Sequence, residues 1–347
     1  MTRLRFAPTR REVLRGGLAL AGLGLLAGCG LPLRPEQSAP GGTNRHLIGV
    51  LGDSPSSRWD ASRWDAFRAG LRELGWIEGQ NLAVEYRWIE GNLERYRAFT
   101  EELVQANVEL VVAGNSVAAL AAKQATRTVP IVAVLATGEA LETGLVDDIA
   151  RPGGNITGIA GISGGDLASK HLQLLKQAVP EASRVAVLAL ASSSPSTQLR
   201  IRALEDAAPT LQLQLQVFPV PNPGGLEHAI SAMGSAGCQA LQILPSTAWD
   251  LVWKQIADLA AQHRLPAIAQ NAEFPRAGGL LAYGPNRPDS FRRAATYVDK
   301  ILKGARPGDL PMERPTKFDF LVNLRTAEAL GLAIPPSVLQ QATEAIQ

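Results

Sequence analysis

From residue 46 onward, short apolar runs alternate with amphipathic stretches, and no other feature of the sequence limits the possible folds as tightly. Residues 46–52 (HLIGVLG), 82–86, 109–113 (ELVVA) and 131–134 read as strands, while 59–74, 93–106 and 116–126 carry apolar residues at helical spacing. Repeated strand–helix–strand units imply a parallel sheet with helices on both faces. The series restarts after a Gly-rich segment at 155–165, with a helix at 166–178 and a strand at 184–190 (RVAVLAL). Helix 196–208, strand 211–218, helix 226–233, strand 240–244, helix 248–263 and strand 266–269 continue it. A helix at 288–302, a strand at 318–323 and helices at 326–330 and 336–345 follow. The expected architecture is α/β: two Rossmann-like, doubly wound parallel-sheet lobes joined by a multi-strand hinge, because chain that follows the second unit must cross back between lobes.

Charge divides the chain differently. Of the 34 lysines and arginines among its 347 residues, five (Arg3, Arg5, Arg10, Arg11, Arg15) lie in the first 28 positions with a single acid, Glu12. From Cys29 onward 29 basic groups face 31 acidic ones, so the folded part lacks the cationic surface that nucleic-acid binding needs. The leader has the layout of an export signal: Arg10-Arg11, then an apolar stretch from Gly16 to Gly28. As a helix that stretch would span ~20 Å, too short for a ~30 Å hydrocarbon core. Leu26-Ala27-Gly28-Cys29 is similar to a bacterial lipobox, which makes Cys29 the acylated first residue of the mature protein, and Arg10-Arg11 with Leu14 is similar to a twin-arginine signal, the general secretory route being the alternative. Residues 1–28 are therefore expected to be a signal peptide and 29–44 a lipidated flexible tether, rich in Pro and Gly. Cys238 remains as a small buried hydrophobe, with no disulfide partner in the chain once Cys29 is acylated.

Candidate functional residues follow from the lobes, since open α/β sheets bind ligands outside the carboxyl ends of their strands. Those loops carry Asp53, Ser54 and Ser57 with Trp59 beside them, then Asn115 and Ser116, Thr137 and Gly138, Ser193 and Ser194, Ser246 and Thr247, and Asn271 and Glu273. Each small polar residue can also be a helix N-cap, and the two roles can coincide at an anion-binding helix start. Asn115-Ser116 is the preferred cradle for a carboxylate, and Glu273 is either a partner for a ligand ammonium or a solvated acid. Trp59 and Trp249 lie where a ring could stack on a ligand, whereas Trp64 and Trp253 read as helix faces packed on a sheet. Ser163 and Tyr283 complete the ligand-binding set. Gly161-Ile162-Ser163-Gly164-Gly165 also matches the nucleophile-elbow pattern. The acid and histidine that would have to follow, Asp250 and His263, fall in one predicted helix ~20 Å apart, so the segment is read as an inter-lobe crossing and not as catalytic. The histidines are scattered without metal-ligand spacing, and neither a metal nor a cofactor is expected.

The chain resembles the ABC-transporter substrate-binding lipoproteins that include binders of tryptophan and other aromatic amino acids. The residues that carry the resemblance are Arg151-Pro152-Gly153-Gly154-Asn155-Ile156-Thr157-Gly158, Tyr283-Gly284-Pro285-Asn286, Arg292-Arg293-Ala294-Ala295 and Tyr297-Val298-Asp299-Lys300-Ile301-Leu302-Lys303-Gly304. Asp309-Leu310-Pro311, Pro315-Thr316-Lys317-Phe318 and Ala329-Leu330-Gly331-Leu332-Ala333-Ile334-Pro335-Pro336 extend it. It implies a type I periplasmic-binding-protein fold, with one lobe from residues 45–158 plus 284–310 and the other from 159–283 plus 311–347. It further implies a monomer outside the cytoplasm that closes on a small molecule, first of all an amino acid, and delivers it to a membrane permease with a cytoplasmic ATPase. A ligand sensor for a partner receptor and a serine hydrolase using Ser163 are the alternatives.

Overall fold

A computed structural model describes residues 45–54, 58–135, 139–162, 164–191 and 195–347. The first lobe is built from β1 (His46–Gly52), α1 (Arg58–Glu73), β2 (Leu82–Trp88), α2 (Arg95–Gln105), β3 (Leu110–Ala113), α3 (Ser116–Ala125), β4 (Ile131–Val134), α4 (Glu139–Glu142) and β5 (Ile156–Ile159). Its five strands lie in the order β2-β1-β3-β4-β5 and are all parallel. Strand residues alternate between two cores: Leu110 and Val112 pack with Trp64 and Phe67 of α1, whereas Val111 and Ala113 pack with Tyr96 and Leu103 of α2. Burial on both faces explains why these strands read as continuous apolar runs.

The second lobe begins with α5 (Gly164–Ala178), β6 (Arg184–Leu190), α6 (Pro195–Ala207), β7 (Gln214–Val220), α7 (Leu226–Ser235), β8 (Ala240–Ile243), α8 (Trp253–Gln262), β9 (Ala267–Ala269), α9 (Glu273–Arg276) and β10 (Leu281–Pro285). The chain then leaves it. Helix α10 (Arg287–Leu302) packs against α1, and its Phe291, Ala294, Tyr297 and Val298 complete the core on one face of the first sheet. It returns through β11 (Phe318–Asn323), α11 (Leu324–Ala329), α12 (Pro336–Leu339) and β12 (Glu344–Ile346), giving a seven-stranded sheet in the order β12-β11-β10-β9-β8-β6-β7. Only the β10–β11 pairing is antiparallel.

Three crossings therefore join the lobes, at β5 to α5, β10 to α10, and the segment before β11. They are tied to one another by hydrogen bonds. Thr157 Oγ1 donates to Leu310 O at 2.7 Å, Gly153 N to Gly308 O at 3.1 Å, and Ala160 N and Glu313 N exchange bonds with Glu313 O and Gly158 O at 2.9 and 3.0 Å. Gly158 is required here: its φ is +129°, and a Cβ would lie 2.2 Å from Ala133 O. Asn286 caps α10 by accepting from Asp289 N at 2.8 Å while its amide donates to Asp319 Oδ1 at 3.0 Å, and Tyr297 Oη donates to Pro311 O at 2.8 Å.

Four expectations change. β5 and β10 are strands that periodicity did not reveal, because Gly and Pro interrupt short runs of four and five residues. The predicted helix at 248–263 is a 3₁₀ turn (Thr247–Trp249) followed by α8, so Asp250 lies outside it. The predicted helix at 336–345 ends at Leu339, and the chain goes on to pair as β12 with β11. Strand 211–218 starts later, at Gln214, after a 3₁₀ turn closed by Gln212 at φ 55°.

Candidate ligand cleft

Both sheets aim the carboxyl ends of their strands at a common cleft. At the end of β1, Asp53 is held by its own lobe. Tyr96 Oη donates to Oδ1 at 2.5 Å, and Asn115 Nδ2 lies 3.0 and 3.2 Å from the two carboxylate oxygens and 2.7 Å from the Tyr96 hydroxyl. The same Asn115 caps α3, its Oδ1 accepting from Ala118 N at 2.8 Å. The Asn115 amide, expected to cradle a ligand carboxylate, is engaged here by the carboxylate of Asp53. Under this triad Trp64 is buried edge-on against Trp88, Phe67 and Phe291, at 5.8, 5.7 and 4.8 Å between ring centroids. Gly52, at the end of β1, makes room for the rings, since a Cβ there would fall 2.2 Å from Trp88 Cζ3.

The opposite wall comes from the second lobe. The loop after β8 carries Ser246, whose Oγ accepts from Ala248 N at 3.2 Å, then the Thr247–Trp249 turn and Asp250. The loop after β9 carries Asn271 and places Glu273 in the first turn of α9. Glu273 meets Arg63 of α1 in an ion pair that spans the lobes, with only 3% of the Arg63 side chain and 8% of the Glu273 side chain exposed. Arg287, at the start of α10, reaches toward Gly114 O at 3.5 Å. Closed contact extends to the cleft mouth, where Leu251 of the second lobe comes within 3.5 Å of the position a Cβ on Gly91 of the first would take. A cavity of ≈ 190 Å³ opens beside the Arg63–Glu273 pair, walled by Ser62, Asn271, Arg276, Asn286, Arg287 and Asp319 among others.

The carboxyls respond to this field in opposite directions. Burial raises the Glu273 carboxyl, but the Arg63 and Arg287 guanidiniums outweigh burial and hold it below the usual range. For Asp250 burial wins: the carboxyl is pushed up to about 6 against the pull of Arg63 and Arg287, with Glu273 and Asp53 adding to the rise.

The expected site residues fall into three groups. Asp53, Ser54, Asn115, Ser116, Ser246, Thr247, Asn271 and Glu273 all lie on strand-end loops or the helix starts behind them, and Trp59 is in the first turn of α1. Tyr283 is instead mid-strand in β10, its ring stacked on Phe318 at 5.7 Å and edge-on to His171, so it belongs to the core between the second sheet and α5. Strand alternation accounts for this, since Tyr283 shares a face with the buried Leu281. Trp249 is likewise not a stacking surface: it is fully buried among Phe274, Ala267 and Ile243, with Nε1 donating to Leu244 O at 2.8 Å. Ser57, Thr137, Gly138, Ser163, Ser193, Ser194 and Cys29, together with the signal and tether segments, lie outside the described residues. Asp250 and His263 stand at opposite ends of the ten-residue α8, which keeps them ~15 Å apart along the helix axis and apart as an acid–histidine pair.

Arg63, Tyr96, Asp250 and Arg287 were not in the expected set. One signal was present for Arg63: it interrupts an apolar stripe on α1 that continues through Phe67 and Leu71, where a cation stands only if it is paired.

A family model described as ABC transporter substrate binding protein matches residues 60–346. The chain belongs to this family. Among relatives of this substrate-binding protein, a tyrosine-binding protein of Clostridioides difficile (strain R20291) is 22% identical over 269 residues, covering 77% of this chain and 75% of the relative. Among solved structures, a domain in complex with L-Trp from Streptococcus pneumoniae superposes with a TM-score of 0.79 at 23% identity, over 87% of this chain and all of that one. A ligand-free, open substrate-binding protein with adhesive properties from Clostridium difficile gives 0.67 at 21% identity, over 87% of this chain and 99% of that one. The substrate-binding protein described here has the type I periplasmic-binding-protein fold.

Proposed function

We propose that this chain captures an amino acid outside the cytoplasmic membrane by closing its lobes over it and delivers it to the permease of an ABC importer. The observation that carries the reading is the buried Arg63–Glu273 pair, which joins two lobes across a cleft rich in both signs of charge. A zwitterion offers a complementary group to each sign. Closure removes water from those groups, and it is favoured by as much as the ligand binds the closed form better than the open one. The tyrosine-binding relative and the L-Trp complex of the structural neighbour support starting with aromatic amino acids. The Leu26-Ala27-Gly28-Cys29 sequence supports tethering through acylated Cys29, and the arginine pair before it supports export.

A thermal-shift screen of the twenty amino acids tests the reading. A true ligand at ~100 times its dissociation constant stabilises the protein by roughly 2.7 kcal/mol, and its addition should leave the closed form as the scattering species. A screen in which no amino acid raises the transition overturns it.

A further inference from the structure

The described chain enters the first lobe at Arg45, at the end that carries the amino ends of β1 and β2 and the carboxyl ends of α1 and α10. This face lies opposite the strand ends that form the cleft. Helix α1 stops there in a Schellman turn: Gly75, at φ +88°, donates from its N–H to Arg72 O at 3.0 Å, and Trp76 N donates to Leu71 O at 2.9 Å. Asn81 locks the residues that follow, accepting from Ile77 N at 2.7 Å and donating to Gly75 O at 2.8 Å. The loop so fixed holds Leu74 and Ile77 in water, 37% and 38% exposed. Between them is the half-buried Trp76, its ring edge-on to His46 at 5.0 Å and its Nε1 donating to Asp299 Oδ1 at 2.9 Å. Charge is sorted on the same face. Each acid around the loop is engaged: Glu73 by Arg292, Asp299 by Lys303, Glu109 by His46 and Glu78 by Tyr86. Arg72 and Lys300 are exposed with no acid paired to them, Lys300 lying over the Tyr297 ring, and Arg45 donates only to the carbonyls of Gln80 and Gly79, at 3.0 and 2.6 Å. Further along, Arg306 and Asp309 bring one charge of each sign. Last-turn cations such as Arg72 and Lys300 also offset the helix macrodipoles, but Arg45 lies on no helix.

We propose that this end of the first lobe rests on the lipid surface to which the chain is tethered, with Leu74, Trp76 and Ile77 entering the headgroup layer and Arg45, Arg72 and Lys300 meeting its phosphates. The assignment rests on the acylation of Cys29 and adds to it the face that meets the bilayer. The place where the chain enters decides the occupant. Residues 29–44 number 16, and a Gly- and Pro-containing chain of that length has a root-mean-square span of only ~22 Å. At its far end Arg45 is hydrogen-bonded to the loop that carries Leu74 and Ile77, so the anchor brings this loop within reach of lipid before any other part of the lobes. A tryptophan flanked by aliphatic side chains, with cations beside them, is also the composition that membrane interfaces favour. Tethering supplies an effective concentration in the millimolar range, so a contact too weak to recruit the protein by itself still keeps this face on the surface about half of the time. Across the seven residues of β1 the cleft end stands ~23 Å from the lipid. The cleft stays clear of the membrane, and the second lobe moves over a first lobe that is held.

Tryptophan quenching on the acylated chain tests this, in vesicles of phosphatidylethanolamine and phosphatidylglycerol whose acyl chains are either plain or brominated. The emission due to Trp76, taken as the difference between the protein and its Trp76→Phe variant, should fall by about half when brominated lipid replaces plain lipid. The double variant Leu74→Asp, Ile77→Asp should float with the vesicles as the parent does and lose that quenching. The double variant Arg72→Glu, Lys300→Glu, which leaves the aliphatic side chains in place, should lose most of it. An unfolding midpoint equal to the parent's in either variant shows that the loss is not misfolding. Unquenched Trp76 in a protein that floats with the vesicles, or quenching that persists in both double variants, overturns the docking face and leaves the anchor standing. Failure of the protein to float overturns both.

Discussion

Asp53 and Asp250 both follow strands of their own lobes, Asp53 directly after β1 and Asp250 beyond the Thr247–Trp249 turn that follows β8, and they are stabilised in different ways. The first lobe supplies everything Asp53 needs from within, a phenol and an amide that are themselves locked by packing and by the cap of α3. Asp250 has no hydrogen-bonded partner of this kind among the described residues and stands in the field of Glu273 from its own lobe and of Arg63, Arg287 and Asp53 from the other. One wall of the cleft is thus preorganised by its own lobe, and the other depends in part on charges from across the cleft.

The largest expected effect comes from removing the link between the walls. Arg63→Ala leaves Glu273 buried without its cation, which costs about 3–5 kcal/mol. That cost falls on the closed form, so the variant should show a larger radius of gyration by small-angle scattering than the parent. An unchanged radius would mean that the pair does not hold the lobes together.

The wall that depends on charges from across the cleft should reveal itself through pH. In the folded chain the Asp250 carboxyl titrates at about 6, raised from 3.8, so between those values the folded state binds more protons than the unfolded one, and stability falls as pH rises through this window. Asp250→Asn removes that penalty and should be the more stable protein above pH 6, by at most about 3 kcal/mol in urea unfolding. His171 works in the opposite direction. Buried beneath β10, with Nε2 on the Tyr283 carbonyl, it titrates at about 4 against 6.5 when unfolded, chiefly through burial. The unfolded state then binds the extra proton, and stability is lost as pH falls from about 6.5 to 4. In the parent the two slopes oppose each other. Asp250→Asn should expose the acid loss due to His171, and His171→Gln the acid gain due to Asp250. If the two variants show the same slope between pH 4 and 6.5, the assignment of these groups fails.

The preorganised wall should lose stability and not selectivity. Asn115→Ala removes the cap of α3, about 1 kcal/mol, and one of the donors to Asp53, for a total of roughly 2 kcal/mol in urea unfolding. A shift in ligand preference in this variant would blur the distinction between the two acids. The smallest effect belongs to Arg292→Ala, which breaks the exposed forked pair with Glu73 between α10 and α1 and should cost about 0.2–1 kcal/mol, diminishing in high salt.

Much of the fold was legible because a parallel sheet buried on both faces leaves an apolar run for each strand and a stripe for each helix, as Val111 and Val112 show by serving different cores. Strands defined by their neighbours were not: β5 contains Gly158 at a positive φ, and β12 exists because β11 offers an edge. The site was half legible. Strand-end loops located Asp53, Asn115 and Glu273, but pairings such as Arg63 with Glu273, 210 residues apart, have no local pattern. The residues that carry the family resemblance prove to be mechanical. Gly153, Thr157, Asn286, Tyr297 and Pro311 fasten the crossings to one another, so they recognise the hinge and are silent about the ligand.

The route of the chain through those crossings also sets a timetable. The first sheet waits for Phe291 and Val298 of α10, which are made more than a hundred residues after β5, and the second sheet is not closed until β12 has been added. During synthesis each lobe is therefore an unfinished surface while the other is being made. A new specificity cannot be installed by exchanging one contiguous half of the gene, because either half of the protein is encoded in two separated pieces.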